Sequence, residues 1–141
     1  MENIYRTKVY VDGFCMNAGK KNARAGYGVL FATNHPNNIS KRLSGKQTIE
    51  RAVLHAAIEC LEQFIFYTRI EVRTDSLYLI KAMTEWMPKY DEKTKYENFD
   101  LMWRAYDLAD DNDVIFTHHA SKSYHDGIGF AEKLANAGAL K

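Results

Sequence analysis

The chain has only two cysteines, two prolines and no long apolar run, and its charges nearly cancel, with 19 Lys and Arg against 18 Asp and Glu. Each scarcity excludes something. Cys15 and Cys60 lie far apart without metal-ligand spacing, so neither a disulfide framework nor a structural zinc site is expected. Reduced thiols fit an intracellular setting, cytoplasmic or nuclear. No stretch approaches the length of a membrane span, and the first eight residues lack an apolar signal segment, so no membrane association is expected. A formal charge of +1 gives no strong overall basic signal of the kind that drives phosphate binding. The charge is nevertheless uneven. Lys20, Lys21, Arg24, Lys41, Arg42 and Lys46 crowd the first third, while Asp107, Asp110, Asp111 and Asp113 make an acidic segment. That asymmetry neither establishes nor excludes a nucleic-acid partner.

What is present is enough for one domain: 141 residues can bury a core without disulfides or metal. Lys8 to Asp12 alternates with period two and stops at Gly13, a strand. Ala25 to Thr33 reads as a second strand, with Gly26 and Gly28 where backbones would approach closely. After the turn residues 34–38, Ile39 to Leu43 returns antiparallel. The period then becomes helical. Thr48 suits an N-cap, and Leu54, Ala57, Ile58, Leu61 and Ile65 define one apolar face. Ile70 to Thr74 is a strand, Ser76 to Trp86 a helix that Pro88 helps to end, and Phe99 to Ala109 a helix with Trp103 and Tyr106 in the core. Asp113 to His118 is a strand and Gly129 to Leu140 a last helix. This order predicts an α/β fold, a five-stranded mixed sheet flanked by helices, as a single domain over 1–141. Functional residues in such sheets collect at strand ends, where Asp12 and Asp75 are expected.

Three segments carry a family signal: Tyr10-Val-Asp12-Gly-Phe-Cys15, Gly45-Lys-Gln-Thr48-Ile-Glu50-Arg-Ala-Val53-Leu-His-Ala-Ala57, and Arg73-Thr-Asp75-Ser76. Together they resemble the type 1 ribonuclease H family, in register from Val9 to Ala139. The resemblance implies the ribonuclease H-like fold and cleavage of the RNA strand of RNA–DNA hybrids by acidic residues that hold two divalent metals. Two metals roughly 3.5–4 Å apart activate water and stabilise the leaving oxygen. Asp12 and Asp75 match two of the metal-holding acids, and Glu132 stands where the family has Asp. Where members carry a glutamate after Arg-Ala, this chain has Val53, which binds no metal. Glu50, one helical turn earlier, is either a substitute ligand or an ordinary first-turn acid. His119 matches the histidine that helps product leave, with His118 and His125 nearby, in a loop about three residues longer than the family's.

The resemblance also covers the binding groove. The asparagines that touch RNA 2′-hydroxyls in members are Ala18 and Ile49 here. The DNA side keeps Thr48 and Asn98, with Lys46 in place of an arginine, as a phosphate pocket, and Tyr78, Trp86 and Tyr90 along the DNA-strand channel. These departures predict a degenerate domain with little or no hybrid cleavage, acting as a nucleic-acid or protein binding module. The alternative is an active Mg²⁺-dependent endoribonuclease using Asp12, Asp75, Glu132 and Glu50. Expected metal is one weakly held Mg²⁺ or Mn²⁺, or none. Expected partners are an RNA–DNA hybrid or DNA, and a protein partner or a homodimer through residues 86–90 or through Tyr124, Ile128 and Phe130.

Overall fold

The computed structural model describes residues 5–120 and 126–141. Its sheet runs β3-β2-β1-β4-β5, from β1 (Thr7–Met16), β2 (Arg24–Leu30), β3 (Ile39–Arg42), β4 (Arg69–Thr74) and β5 (Asp113–His118). β1, β2 and β3 form an antiparallel meander, whereas β4 is parallel to both β1 and β5. α1 (Ile49–Leu61) packs on β1 and β2, with α2 (Leu77–Lys81) and α3 (Phe99–Asp110) beside it, and α4 (Gly127–Ala139) covers β1, β2 and β3. This is the expected α/β architecture.

Several boundaries differ from the periodicity reading, some through distant strand pairing and others through local caps and turns. β1 does not stop at Gly13: its pairing with β2 continues from Tyr10 to Met16, while its pairing with β4 ends at Tyr10. Asp12 therefore sits inside a strand, just past the point where β4 diverges. α1 ends at Leu61, where tight turns from Gln63 to Cys60 and Phe64 to Leu61 close it. Ile65, expected on its apolar face, lies beyond the helix and is 83% exposed. α2 is short and runs into a π-turn over Ala82–Trp86. α4 begins two residues earlier than expected because Asp126 caps it, accepting from the Gly129 amide at 2.6 Å. Trp103, expected in the core, is 46% exposed. Met87 and Ile128, expected as contact residues, are instead buried, and Tyr124 lies outside the described residues.

The helices approach the sheet through glycines on opposite faces. Gly13 lies under α1, where an added Cβ would sit 2.7 Å from the Val53 amide nitrogen. Gly28 lies under α4, where a Cβ would sit 2.6 Å from the Ala131 carbonyl oxygen, and it pairs directly with Asp12 across β1 and β2. These contacts set Val53 and Glu132 close to Asp12. Gly28→Val should force α4 off the sheet, costing about 3 kcal/mol and lowering the melting temperature by about 10 °C. A variant that melts with the wild type would show that this close seat of α4 is not needed.

Candidate functional site

A cavity of about 370 Å³ opens where β1 and β4 diverge, and Asp12, Glu50, Val53, Asp75, Tyr78 and Glu132 line it. β1 supplies Asp12, the turn after β4 supplies Asp75, α1 supplies Glu50 and Val53, and α4 supplies Glu132. Ser76 caps α2 immediately after Asp75, its hydroxyl accepting from the Leu79 amide at 3.1 Å. The Ser76 amide in turn donates to the Thr74 hydroxyl at 3.1 Å, which helps to fix the turn bearing Asp75.

Asp12 is buried, and its carboxyl is held up to about 8 from an ordinary 3.8. Burial is the first cause, followed by the charge of Asp75 and a hydrogen bond between the two carboxyl groups. Glu132 adds a smaller push in the same direction. The Gly13 amide, donating to Asp12 Oδ1 at 2.9 Å, works against this rise. Among the described residues no Lys or Arg lines this cavity, and two carboxyl groups facing one another are costly unless a cation joins them. Their oxygen-only donor set suits a hard divalent ion such as Mg²⁺ or Mn²⁺. Val53 is 2% exposed and presents only methyl groups to this cavity. Glu50 lines the same cavity, and its charge is felt by Cys15 and Tyr78. Among the described residues, no three acidic, histidine or cysteine side chains converge tightly enough to cage an ion.

His119 lies just past β5, its amide donating to the Thr74 carbonyl at 2.8 Å and its Nε2 3.8 Å from Glu71 Oε2. Glu71 also accepts from Arg73 at 2.8 Å and from Thr117 at 3.1 Å, and the Arg73 hydrogen bond holds its carboxyl below the usual range. His125 and the loop residues 121–124 lie outside the described residues.

A second groove, of about 460 Å³, adjoins the first and is lined by Thr48, Tyr78, Trp86, Tyr96, Glu97 and Asn98. Thr48 caps α1 as expected, accepting from the Arg51 amide at 3.2 Å. Asn98, at φ 67°, accepts from Arg51 at 3.1 Å and donates to the Tyr78 hydroxyl at 3.2 Å. Trp86 stacks on Tyr96 with centroids 5.7 Å apart and meets Tyr78 edge-on at 5.6 Å. Lys46 Nζ is 2.9 Å from Glu97 Oε1. Tyr90 does not join this groove; it stacks on Phe99 at 4.6 Å, beside Trp103. Tyr96 and Glu97, which line the groove, and Arg51, which holds Asn98 from behind it, are residues that the motifs did not single out. Arg51 had a local signal, one turn inside a capped helix, but the contacts of Tyr96 and Glu97 depend on the fold.

The RNase H family model matches residues 5–139, nearly the whole chain and every element of this site. The chain belongs to the RNase H family. A ribonuclease H of Schizosaccharomyces pombe is 41% identical over 142 residues, covering 95% of this chain and 53% of that protein. The chain thus spans about half the length of this curated relative. Among solved structures, a foamy viral protease-reverse transcriptase in complex with RNA/DNA hybrid superposes at TM-score 0.77 and 20% identity, over 96% of this chain and 20% of that one. A type 1 RNase H with the type 2 active-site motif superposes at TM-score 0.69 and 21% identity, over 99% of this chain and 75% of that one. These two likenesses establish the RNase H fold. No helix among the described residues is long and apolar enough to cross a membrane.

Proposed function

We propose that this chain is an RNase H domain that binds RNA–DNA hybrid, holds one divalent cation, and cleaves the RNA strand slowly or not at all. The observation that carries this reading is Val53, buried in the wall of the cavity that holds Asp12, Asp75 and Glu132. Asp12 and Asp75, with Glu132 beside them, are the residues that would hold Mg²⁺ or Mn²⁺. Such an ion, when bound, polarises the phosphodiester and activates water. A facing carboxylate pair is a poor choice for stability alone, so its presence supports retained cation binding. On the substrate side, Lys46, Thr48 and Asn98 would meet a DNA-strand phosphate, and Tyr78 and Trp86 would line the strand's path. His119 would assist departure of product. Ala18 and the half-exposed Ile49 offer no polar side-chain contact to RNA 2′-hydroxyls, which favours binding over cutting. The foamy viral likeness, seen with a hybrid, supports the choice of partner. Free thiols at Cys15 and Cys60 fit an intracellular setting.

A second reading is an active endoribonuclease in which Glu50 replaces the missing acid, and the observation favouring it is that Glu50 lines the same cavity. The solved type 1 RNase H with the type 2 active-site motif supports this reading as another protein of this fold whose active-site motif departs from its type. Metal stoichiometry separates the two readings. Titration calorimetry with Mg²⁺ or Mn²⁺ should give one weak ion, lost in Asp12→Asn; two tight ions would make Glu50 a ligand and favour the active enzyme. Binding and cutting should be recorded on one sample of labelled hybrid, in low salt with Mg²⁺. The expected result is a retarded complex whose RNA stays intact. A folded chain that forms no complex would contradict the proposal.

A further inference from the structure

The cations around the start of α1 are already paired with the chain's own carboxylates. Lys46 meets Glu97, and Arg51 lies 3.4 Å from Asp100 while also donating to Asn98. The two pairs differ in freedom. The Arg51 side chain is only 21% exposed and is fixed by Asn98, whereas Lys46 and Glu97 are 65% and 77% exposed. Glu97 also lines the groove that holds Thr48, Asn98, Tyr78 and Trp86.

We propose that Glu97 is a built-in competitor for the nucleic-acid backbone, its carboxylate occupying on Lys46 the place a DNA-strand phosphate would take. The inference rests on the hybrid-binding reading above. A carboxylate and a phosphate use the same ammonium donors, so an arriving phosphate meets either a neutralised Lys46 or a displaced Glu97 whose charge remains nearby. Both situations lower affinity. Because the pair is exposed, it opens at small cost and acts as a soft brake on binding. Lys46 therefore contributes more to binding when Glu97 is replaced by a neutral side chain.

The test is an anisotropy titration of labelled RNA–DNA hybrid in EDTA over a series of salt concentrations. It compares the wild type with Glu97→Gln, Lys46→Ala and the double variant. Asp107→Asn serves as a control that removes the same charge from α3. Glu97→Gln should bind about threefold to fivefold tighter. Its salt dependence should steepen by about one phosphate contact. Lys46→Ala should weaken the Glu97→Gln background by a similar factor and the wild-type background by a clearly smaller one. Equal loss in both backgrounds, or no gain from Glu97→Gln while the wild type binds, overturns the role of Glu97. A gain from Asp107→Asn as large as that from Glu97→Gln reduces the effect to net charge and also overturns it. If neither the wild type nor Glu97→Gln binds hybrid, in EDTA or in Mg²⁺, while circular dichroism shows both folded, the hybrid-binding reading itself fails.

Discussion

Val53→Glu is expected to raise hybrid cleavage by about tenfold to a hundredfold over the unaltered chain, since each 1.4 kcal/mol of restored transition-state stabilisation is about tenfold in rate. The position is right for this gain. The Val53 amide lies against Gly13, the residue after Asp12, so a carboxylate there would enter the cavity beside the Asp12–Asp75 pair. Recovery should stop short of an intact family member, because Ala18 and Ile49 would still leave the RNA strand without side-chain hydrogen bonds. The same substitution buries a third negative charge, so the variant should melt below the wild type in EDTA and recover in Mg²⁺. A folded variant that binds hybrid and cuts no faster would show that the acid missing at position 53 is not what limits cleavage.

Asp12→Asn should stabilise the metal-free chain at pH 8 and above, by on the order of 2 kcal/mol or about 5 °C in melting temperature. The sign follows from the direction of the shift. The folded state holds the Asp12 proton up to about pH 8, whereas the unfolded chain releases it near 3.8. Between these values the folded state binds more protons, so this group's contribution to stability falls as pH rises. Below about pH 4 both states are protonated and the wild type and Asp12→Asn should converge. Mg²⁺ should stabilise the wild type most at alkaline pH, where Asp12 gives up its proton, and have little effect on Asp12→Asn. Thermal melts across this pH range in EDTA and in Mg²⁺ check both statements. A wild type whose stability rises from pH 5 to pH 8 relative to Asp12→Asn would mean that the pair is not strained.

The parts of the fold legible in the sequence were those governed by local rules. Thr48 caps α1 because a threonine before an apolar helical stripe satisfies a free amide, and β5 matches its expected span from Asp113 to His118. What failed depended on distant partners. β1 runs past Gly13 because β2 supplies hydrogen bonds as far as Met16, which alternation over residues 8–12 cannot reveal. Ile65 obeys the helical period but leaves the helix, and the following turn is pinned by the Tyr67 amide on the Asp111 carbonyl and the Asp113 amide on the Thr68 carbonyl. For the site, the motifs picked out Asp12, Asp75 and Glu132, which line one cavity, and Thr48, Asn98, Tyr78 and Trp86, which line the groove beside it. Lys46 lines neither and meets the groove only through Glu97. Tyr90 went elsewhere because Phe99 and Trp103 offer it a stacking surface. The Lys46–Glu97 pair joins residues 51 positions apart, and no local pattern announces it.

The most direct test of the central claim is the single-turnover rate of RNA-strand cleavage in labelled RNA–DNA hybrid, with saturating wild-type chain in Mg²⁺ and in Mn²⁺, beside Asp12→Asn and the Schizosaccharomyces pombe relative. The wild type is expected to bind the hybrid but to cut it several orders of magnitude more slowly than the relative, as the loss of a metal ligand worth several kcal/mol requires. Cleavage at the relative's rate, abolished by Asp12→Asn, would contradict that claim and establish an active enzyme with a rearranged acid set.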